Sequence, residues 1–142
     1  MFSGSVIDAA TLQAYRETHY RVLGDDGFML VVDVPSPALL AAHRRHRVDA
    51  SAFLTACNPY SVRQAAASNA EAQARLAREL RSRSLAFVDG IGEHPHNGWP
   101  GEASFLVFGL ALEAAKVLGA QFGQNAIVWA GADAVPRLVM LR

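Results

Sequence analysis

The stretch Gly92–Gly109, GEHPHNGWPGEASFLVFG, brings two histidines, two glutamates and a tryptophan into a Gly/Pro-rich loop that runs directly into an apolar strand. His94 and His96, with Glu93 and Glu102 nearby, have side chains that suit zinc or manganese. Alternate residues of an extended segment point the same way, so the two imidazoles could converge. The spacing supplies no fixed third ligand. The competing reading is two solvated loop histidines, and no metal is assigned.

Glu102 is the most informative single residue. It stands two positions before a strongly apolar run, and a carboxylate held against the edge of a core must be paired or solvated. Gln124 and Asn125 open another apolar strand in the same way, after Gly123. One reading makes these residues structural: Glu102 caps loop N–H groups, and Gln124-Asn125 form a turn. The other assembles Asn58, Ser61, Glu102, Gln124 and Asn125 into a polar cleft with Trp99 as its apolar wall. In that cleft burial would raise the Glu102 pKa, as a general base requires, which makes Glu102 the catalytic candidate.

Other chemistry-bearing residues read more plainly. Cys57 ends an apolar run before Asn58-Pro59 and lacks a nucleophile signature, so it is expected to act as a small hydrophobe. His43 and His46 sit among Arg44, Arg45 and Arg47, and read as a solvated basic helix end that suits the helix dipole. No phosphate-loop, HExxH, GxSxG or CxxC pattern occurs.

The elements that position these residues follow from punctuation and periodicity. Tyr15–Leu23 and Phe28–Val34 read as hairpin arms around GDDG. Ser36 as N-cap and Pro37 at N1 start a helix that runs to about Arg47. Ala52–Cys57 is a buried strand. Ser68 and Glu71 fit a capping box that opens a helix reaching about Arg81. The runs at 84–89 and 104–110 are strands, and 111–122 is a helix with Gly123 as its C′ residue. The segments 125–131 and 136–141 close the chain as a second hairpin. The order ββα-β-α-ββα-ββ predicts an α+β domain with about three helices, mainly on one face of a mixed or mainly antiparallel sheet. A weak internal repeat, hairpin–helix–strand, would set CNPYS and AGAD at matching strand ends.

Totals bound the class. The chain has 142 residues, enough for one domain with a real core, and residues 1–12 read as a loosely attached segment. Hydrophobic residues are 51% against 18% charged, which excludes a disordered chain. Thirteen basic residues balance thirteen acidic ones, so no global charge draws nucleic acid or an anionic membrane, and neither is expected as a partner. A single cysteine permits no intrachain disulfide, and the start MFSGSVIDAATL lacks a signal-peptide pattern, so a cytoplasmic location is expected.

In combination, TACNPYS, NGWPGEASFLVFGL and FGQNAIVW…PRLVML resemble a bacterial family that carries only a domain-of-unknown-function label. The resemblance runs from about Tyr15 to Leu141. Its matching positions are Asn58, Pro59, Ser61, Asn69, Trp99, Pro100, Gly101, Glu102, Gln124 and Asn125; His94 and His96 are not among them. It implies a small stand-alone cytosolic protein and brings no activity. The resulting expectation is a binding module, without a cofactor, whose polar cleft takes a small ligand, nucleotide or peptide. A hydrolase or transferase using Glu102 as general base is the first alternative, and an interaction domain using a strand edge is the second.

Overall fold

The computed structural model describes residues 7–142. Its first element begins within the segment read as loosely attached and runs into the start of the expected strand arm. Asp8 accepts a hydrogen bond from Thr11 N (2.8 Å) and caps helix α1, Ala9–Glu17. The segment AATLQAYRE is rich in helix formers, and propensity prevails here because no apolar alternation opposes it. Tyr15 is therefore helical, and only β1, His19–Val22, remains of the predicted arm. β2, Phe28–Leu30, pairs with it across the GDDG turn, with Val22 opposite Phe28. Helix α2, Pro37–His46, starts as expected: Ser36 Oγ accepts Leu39 N (3.0 Å), and Arg47 ends the helix in the left-handed region.

Downstream, β3 is Ser51–Leu54 and is shorter than predicted, because Thr55 turns its hydroxyl to Ala103 O (2.7 Å). Helix α3, Ala66–Ser82, begins before the expected Ser68–Glu71 capping box, which falls inside its first turns. β4, Phe87–Glu93, and β5, Glu102–Phe108, form a hairpin, so the loop is confined to residues 94–101. Helix α4, Leu112–Gln121, ends on Gly123 at φ +71°, as its C′ role predicts. β6, Ala126–Ala130, and β7, Arg137–Met140, make the closing hairpin.

The fold is α+β, as expected, with four helices among the described residues rather than about three. One seven-stranded sheet has the order β2-β1-β4-β5-β3-β6-β7, and every pairing is antiparallel. The sheet curls. Asp33 N donates to Pro136 O (2.7 Å) and Ser36 N to Ala134 O (3.2 Å), so the chain leaving one edge strand bonds to the chain entering the other.

Both faces of the sheet are covered, contrary to the expected one-sided arrangement. Ala52, Leu54, Phe105, Val107 and Ile127 pack on one face with Leu76 and Leu80 of α3 and Leu118 of α4. Phe53, Leu106, Phe108 and Val128 pack on the other with Leu39 and Ala42 of α2. This two-sided burial is why β3 and β5 read as apolar runs without alternation. The reading of the α2 end as solvated fails at His43 and holds for the exposed His46 and its arginine neighbours. His43 is buried with Nε2 on Ser51 Oγ (2.8 Å), and burial lowers its pKa; His46 stacks on Phe108 at 3.8 Å.

The two halves are not equivalently placed. α2 carries the chain from β2 past three strands to β3, whereas α4 links β5 to β6 across β3 alone. Ser51 pairs with Ala130, so AGAD lies beside the start of β3 while CNPYS leaves its other end. Gln124-Asn125, at the start of β6, is what faces CNPYS.

Gly90 of β4 leaves space that the Phe53 ring fills: a Cβ there would lie 2.7 Å from Phe53 Cε2 and 2.8 Å from Arg21 O. Gly90→Ala is expected to destabilise the protein by roughly 1–3 kcal/mol, as overpacking does in a tight core. Denaturant unfolding measures this; a neutral result would show that both the Phe53 ring and the Arg21 backbone give way at no cost.

Candidate functional site

The segment leaving β3 is strained. Asn58 (φ 47°), Tyr60 (φ 58°) and Ser61 (φ 58°) all lie in the left-handed region, at about 1–3 kcal/mol for each such residue other than glycine. Among residues with a Cβ, Asn tolerates that region well, and its amide explains the choice. Asn58 Oδ1 accepts from Gln64 N (2.8 Å) and Asn69 Nδ2 (2.9 Å), and its own N–H donates to Asn69 Oδ1 (2.8 Å). Tyr60 N donates to Gly123 O (2.7 Å), which pins the segment to the end of α4. Several partners hold a geometry that local preference would not choose.

Asn58 Nδ2 donates to Glu102 Oε2 at 2.6 Å, a short charge-assisted bond. Trp99 Nε1 approaches the same oxygen at 3.5 Å, the edge of hydrogen-bond range. Glu102 Oε1 has no hydrogen-bond partner among the described residues. Burial pushes the Glu102 carboxyl above the usual carboxylate range, and the Asn58 and Trp99 bonds offset only part of that rise. Two neighbours respond to the same environment. Burial raises the Tyr20 phenol and the Cys57 thiol, and the Glu102 charge adds to both effects. Cys57 is thus held away from thiolate, as its reading as a small hydrophobe predicts.

Glu102 and Asn58 line a cavity of about 370 Å³ on the α2 face of the sheet. Helix α1 supplies one side of it through Ala10, Ala14 and Tyr15, while Tyr20, Phe53, Val128 and Leu138 make apolar walls. A second hollow of about 520 Å³ lies on the α3 side of the same two residues, bordered by Asn69 and Gln73. Asn58 and Glu102 form the partition between them.

A second polar corner stands in the first cavity. Asn125 Nδ2 donates to Tyr15 Oη and to Ser61 Oγ, both at 3.0 Å, and those two hydroxyls bond to each other. The hydrogens can be counted. Asn125 spends both amide hydrogens, and one hydroxyl hydrogen closes the Tyr15–Ser61 contact. One hydroxyl hydrogen is left over to donate. Arg142 Nη1 holds Asn125 Oδ1 at 3.1 Å and so fixes the amide orientation.

The structure brings Asn58, Ser61, Trp99, Glu102, Gln124 and Asn125 to this one cavity. Gln124 is partly spent on structure, because its Nε2 donates to Cys57 O (3.1 Å) and Phe122 O (3.3 Å). His94 has both ring nitrogens engaged. Nδ1 accepts from His96 N and Asn97 N, both at 3.0 Å, which leaves Nε2–H to donate to Glu17 Oε1 at 3.0 Å. The His94 and His96 ring centroids are 6.3 Å apart, and Glu93 pairs with Arg21. Among the described residues no group of three or more His, Cys, Asp or Glu is placed to hold a metal ion. Sequence reasoning missed Tyr15, Tyr20 and Phe53. The Asp8 cap before a run of helix formers was the available signal for Tyr15; the other two look like ordinary strand apolars.

A sequence model described as a protein of unknown function, DUF3293, matches residues 54–127, just over half of the chain. The chain belongs to the DUF3293 family. The DUF3293 match takes in Asn58, Asn69, Trp99, Glu102, Gln124 and Asn125, hence the partition and most of the polar corner. Tyr15, Tyr20 and Phe53 stand outside it. No curated protein and no solved structure matches the chain.

A carboxyl whose pKa is raised by folding binds protons more readily in the native state, so stability falls as pH climbs from the usual carboxylate range through the raised pKa. Glu102→Gln keeps an oxygen for Asn58 and removes that penalty. Its melting temperature is expected to equal or exceed the parent's at pH 7, with the advantage fading at acid pH. A loss of about 1–3 kcal/mol at pH 7 would instead make Glu102 a brace. Asn58→Ala strips three side-chain hydrogen bonds from a left-handed position, and urea unfolding is expected to show a loss of roughly 3 kcal/mol or more.

Proposed function

We propose that the protein is a small-ligand binding module whose ligand occupies the 370 Å³ cavity. The observation that carries this reading is Glu102: a desolvated carboxylate with one oxygen uncommitted, at the wall of a cavity of ligand-binding size (roughly 300–1,000 Å³). Apolar walls with a few convergent polar groups are what small-molecule sites have in common. The strained Asn58–Ser61 segment supports it too, since strain clusters where positioning matters more than stability. The ligand is small and amphipathic, with an apolar body against Phe53 and Val128 and a hydrogen-bonding head at Glu102. We place the protein in the cytoplasm, a reducing setting that its single cysteine suits. No helix among the described residues is long and apolar enough to cross a membrane.

A general-base role for Glu102 asks for a second group that takes or gives a proton. The groups touching Glu102 are an amide and an indole, and neither does so. For a strand-edge interaction domain, β2 offers only three residues, and the chain after it is already bonded to the chain before β7.

Ala14 faces the cavity from α1, a helix with no buried residue, so bulk added there fills the cavity without disturbing the core. Benzyl alcohol and 4-methylphenol, as neutral aromatic probes, are expected to shift the Trp99 indole N–H signal saturably in the parent. In Ala14→Trp, with an unchanged melting temperature, the shift is expected to vanish. Equal shifts in both proteins would place binding outside the cavity.

A further inference from the structure

The charge inventory of the cavity is lopsided. Glu102 is its carboxylate, and no lysine or arginine lines it among the described residues. The other titratable groups on its walls are Tyr15, Tyr20 and His94. Burial holds the Tyr20 phenol in its neutral form, and His94 is tied to Glu17 and to the backbone of its own loop. The direct partners of Glu102, an amide and an indole N–H, are neutral donors. Among the described residues the Glu102 charge has no cation in direct contact; the Arg142 guanidinium behind Asn125 is engaged on Asn125 Oδ1 (3.1 Å) and over the Tyr60 ring (4.4 Å).

Four aromatic rings line the cavity that holds this charge. Tyr20 and Phe53 meet edge to face with centroids 5.3 Å apart, and both line the cavity together with Tyr15 and Trp99. Trp99 is 40% exposed and holds its N–H near Glu102, which places the indole at the mouth. Aromatic rings beside one uncompensated carboxylate form an environment suited to a soft cation. The rings offer quadrupole attraction to alkylated nitrogen, and the carboxylate offers charge neutralisation. An anion would meet repulsion, and a neutral head would leave the Glu102 charge buried and unpaired.

We propose that the ligand of this cavity is an organic cation of the alkylammonium class, its charge set against Glu102 and its alkyl groups among Tyr20, Phe53 and Trp99. This rests on the reading of the cavity as a binding site and names the chemistry of the head group. The size of the cavity suits a quaternary or primary ammonium carrying a short apolar chain. The spare hydroxyl hydrogen of the Tyr15–Ser61 pair can serve an acceptor elsewhere on the same ligand.

The test uses the whole ¹⁵N-labelled chain and two shape-matched probes, choline and its neutral isostere 3,3-dimethyl-1-butanol. The two tryptophan indoles report separately. Trp99 stands at the cavity, while Trp129 donates to Leu110 O (2.9 Å) away from it and serves as the control. Choline is expected to shift Trp99 saturably, to leave Trp129 still, and to bind about tenfold tighter than the isostere. In Glu102→Gln the preference is expected to fall to about twofold or less. Equal affinity for the two probes in the parent overturns the cation proposal and leaves the binding module standing. No Trp99 shift with choline, tetramethylammonium or n-butylammonium also overturns it, and the neutral aromatic probes then decide separately whether the cavity binds at all. The cation–isostere comparison in the parent stands even where the variant does not fold.

Discussion

The contact between Asn58 Nδ2 and Glu102 Oε2, 2.6 Å long, joins two parts of the chain that have different reasons to be where they are. Glu102 is placed by the β4–β5 hairpin, where it pairs with Gly92 at the open end of the sheet. Asn58 is placed by a left-handed turn that three further hydrogen bonds hold in shape. Neither position is locally comfortable, since one residue carries a desolvated charge and the other an unfavourable φ. Each makes the other tolerable: the amide supplies the carboxylate with a donor, and the carboxylate gives that donor an acceptor in a partly buried place. Remove the pairing, and the partition between the two hollows loses both of its members.

That dependence explains the layout around it. The segment after Asn58 must reach Gly123 and Asn125, because Tyr60 N bonds to Gly123 O and Ser61 Oγ receives Asn125. It can do so because β6 lies next to β3 and starts at the end where β3 stops. Antiparallel pairing of β3 with both β5 and β6 thus delivers Glu102 from one side and Asn125 from the other to the end of a single strand. A parallel neighbour on either side would have sent one of them to the far end of the sheet. The curl then brings β1 and β7 round, so that Tyr20 and Leu138 wall the same space.

Much of this was legible in the residues, and the remainder was hidden for physical reasons. The GDDG turn, the Ser36-Pro37 start and the Gly123 stop announce themselves through backbone preferences that tertiary contacts do not override. The polar set was legible because amides and a carboxylate at the edges of apolar runs need partners, and they found one another. Helix α1 escaped because its Asp8 cap precedes a short segment with no buried face, which leaves propensity as the sole signal. Ser68 and Glu71 misled because a capping-box pattern scores as well inside a first turn as before it. His43 misled because its arginine neighbours are exposed while it alone turns inward to Ser51. Strand order and curl were out of reach, since both depend on which apolar runs meet across long separations.

The extent of the DUF3293 match divides the cavity along a chemical line. Residues 54–127 hold the charge, the amides that orient it and the indole at the mouth. Phe53, Tyr20, Leu138 and the whole of α1 lie outside the match. On the proposed binding reading, the part within the match supplies the charge and its orienting amides, and the part outside it supplies most of the apolar and aromatic wall, Tyr20 and Phe53 included. The two parts differ in what change costs them. A head site is constrained by hydrogen-bond geometry and by a buried charge, where one lost partner leaves another unsatisfied. A body site needs only apolar volume, which many residues supply, and an exposed helix such as α1 can vary its cavity-facing side without loss to the core. The same fold can therefore hold one kind of head group while accommodating bodies of different shape. On the same binding reading, Glu102 and the rings that share its cavity set the class of ligand, and α1, which lines the cavity through Ala10, Ala14 and Tyr15, sets its size.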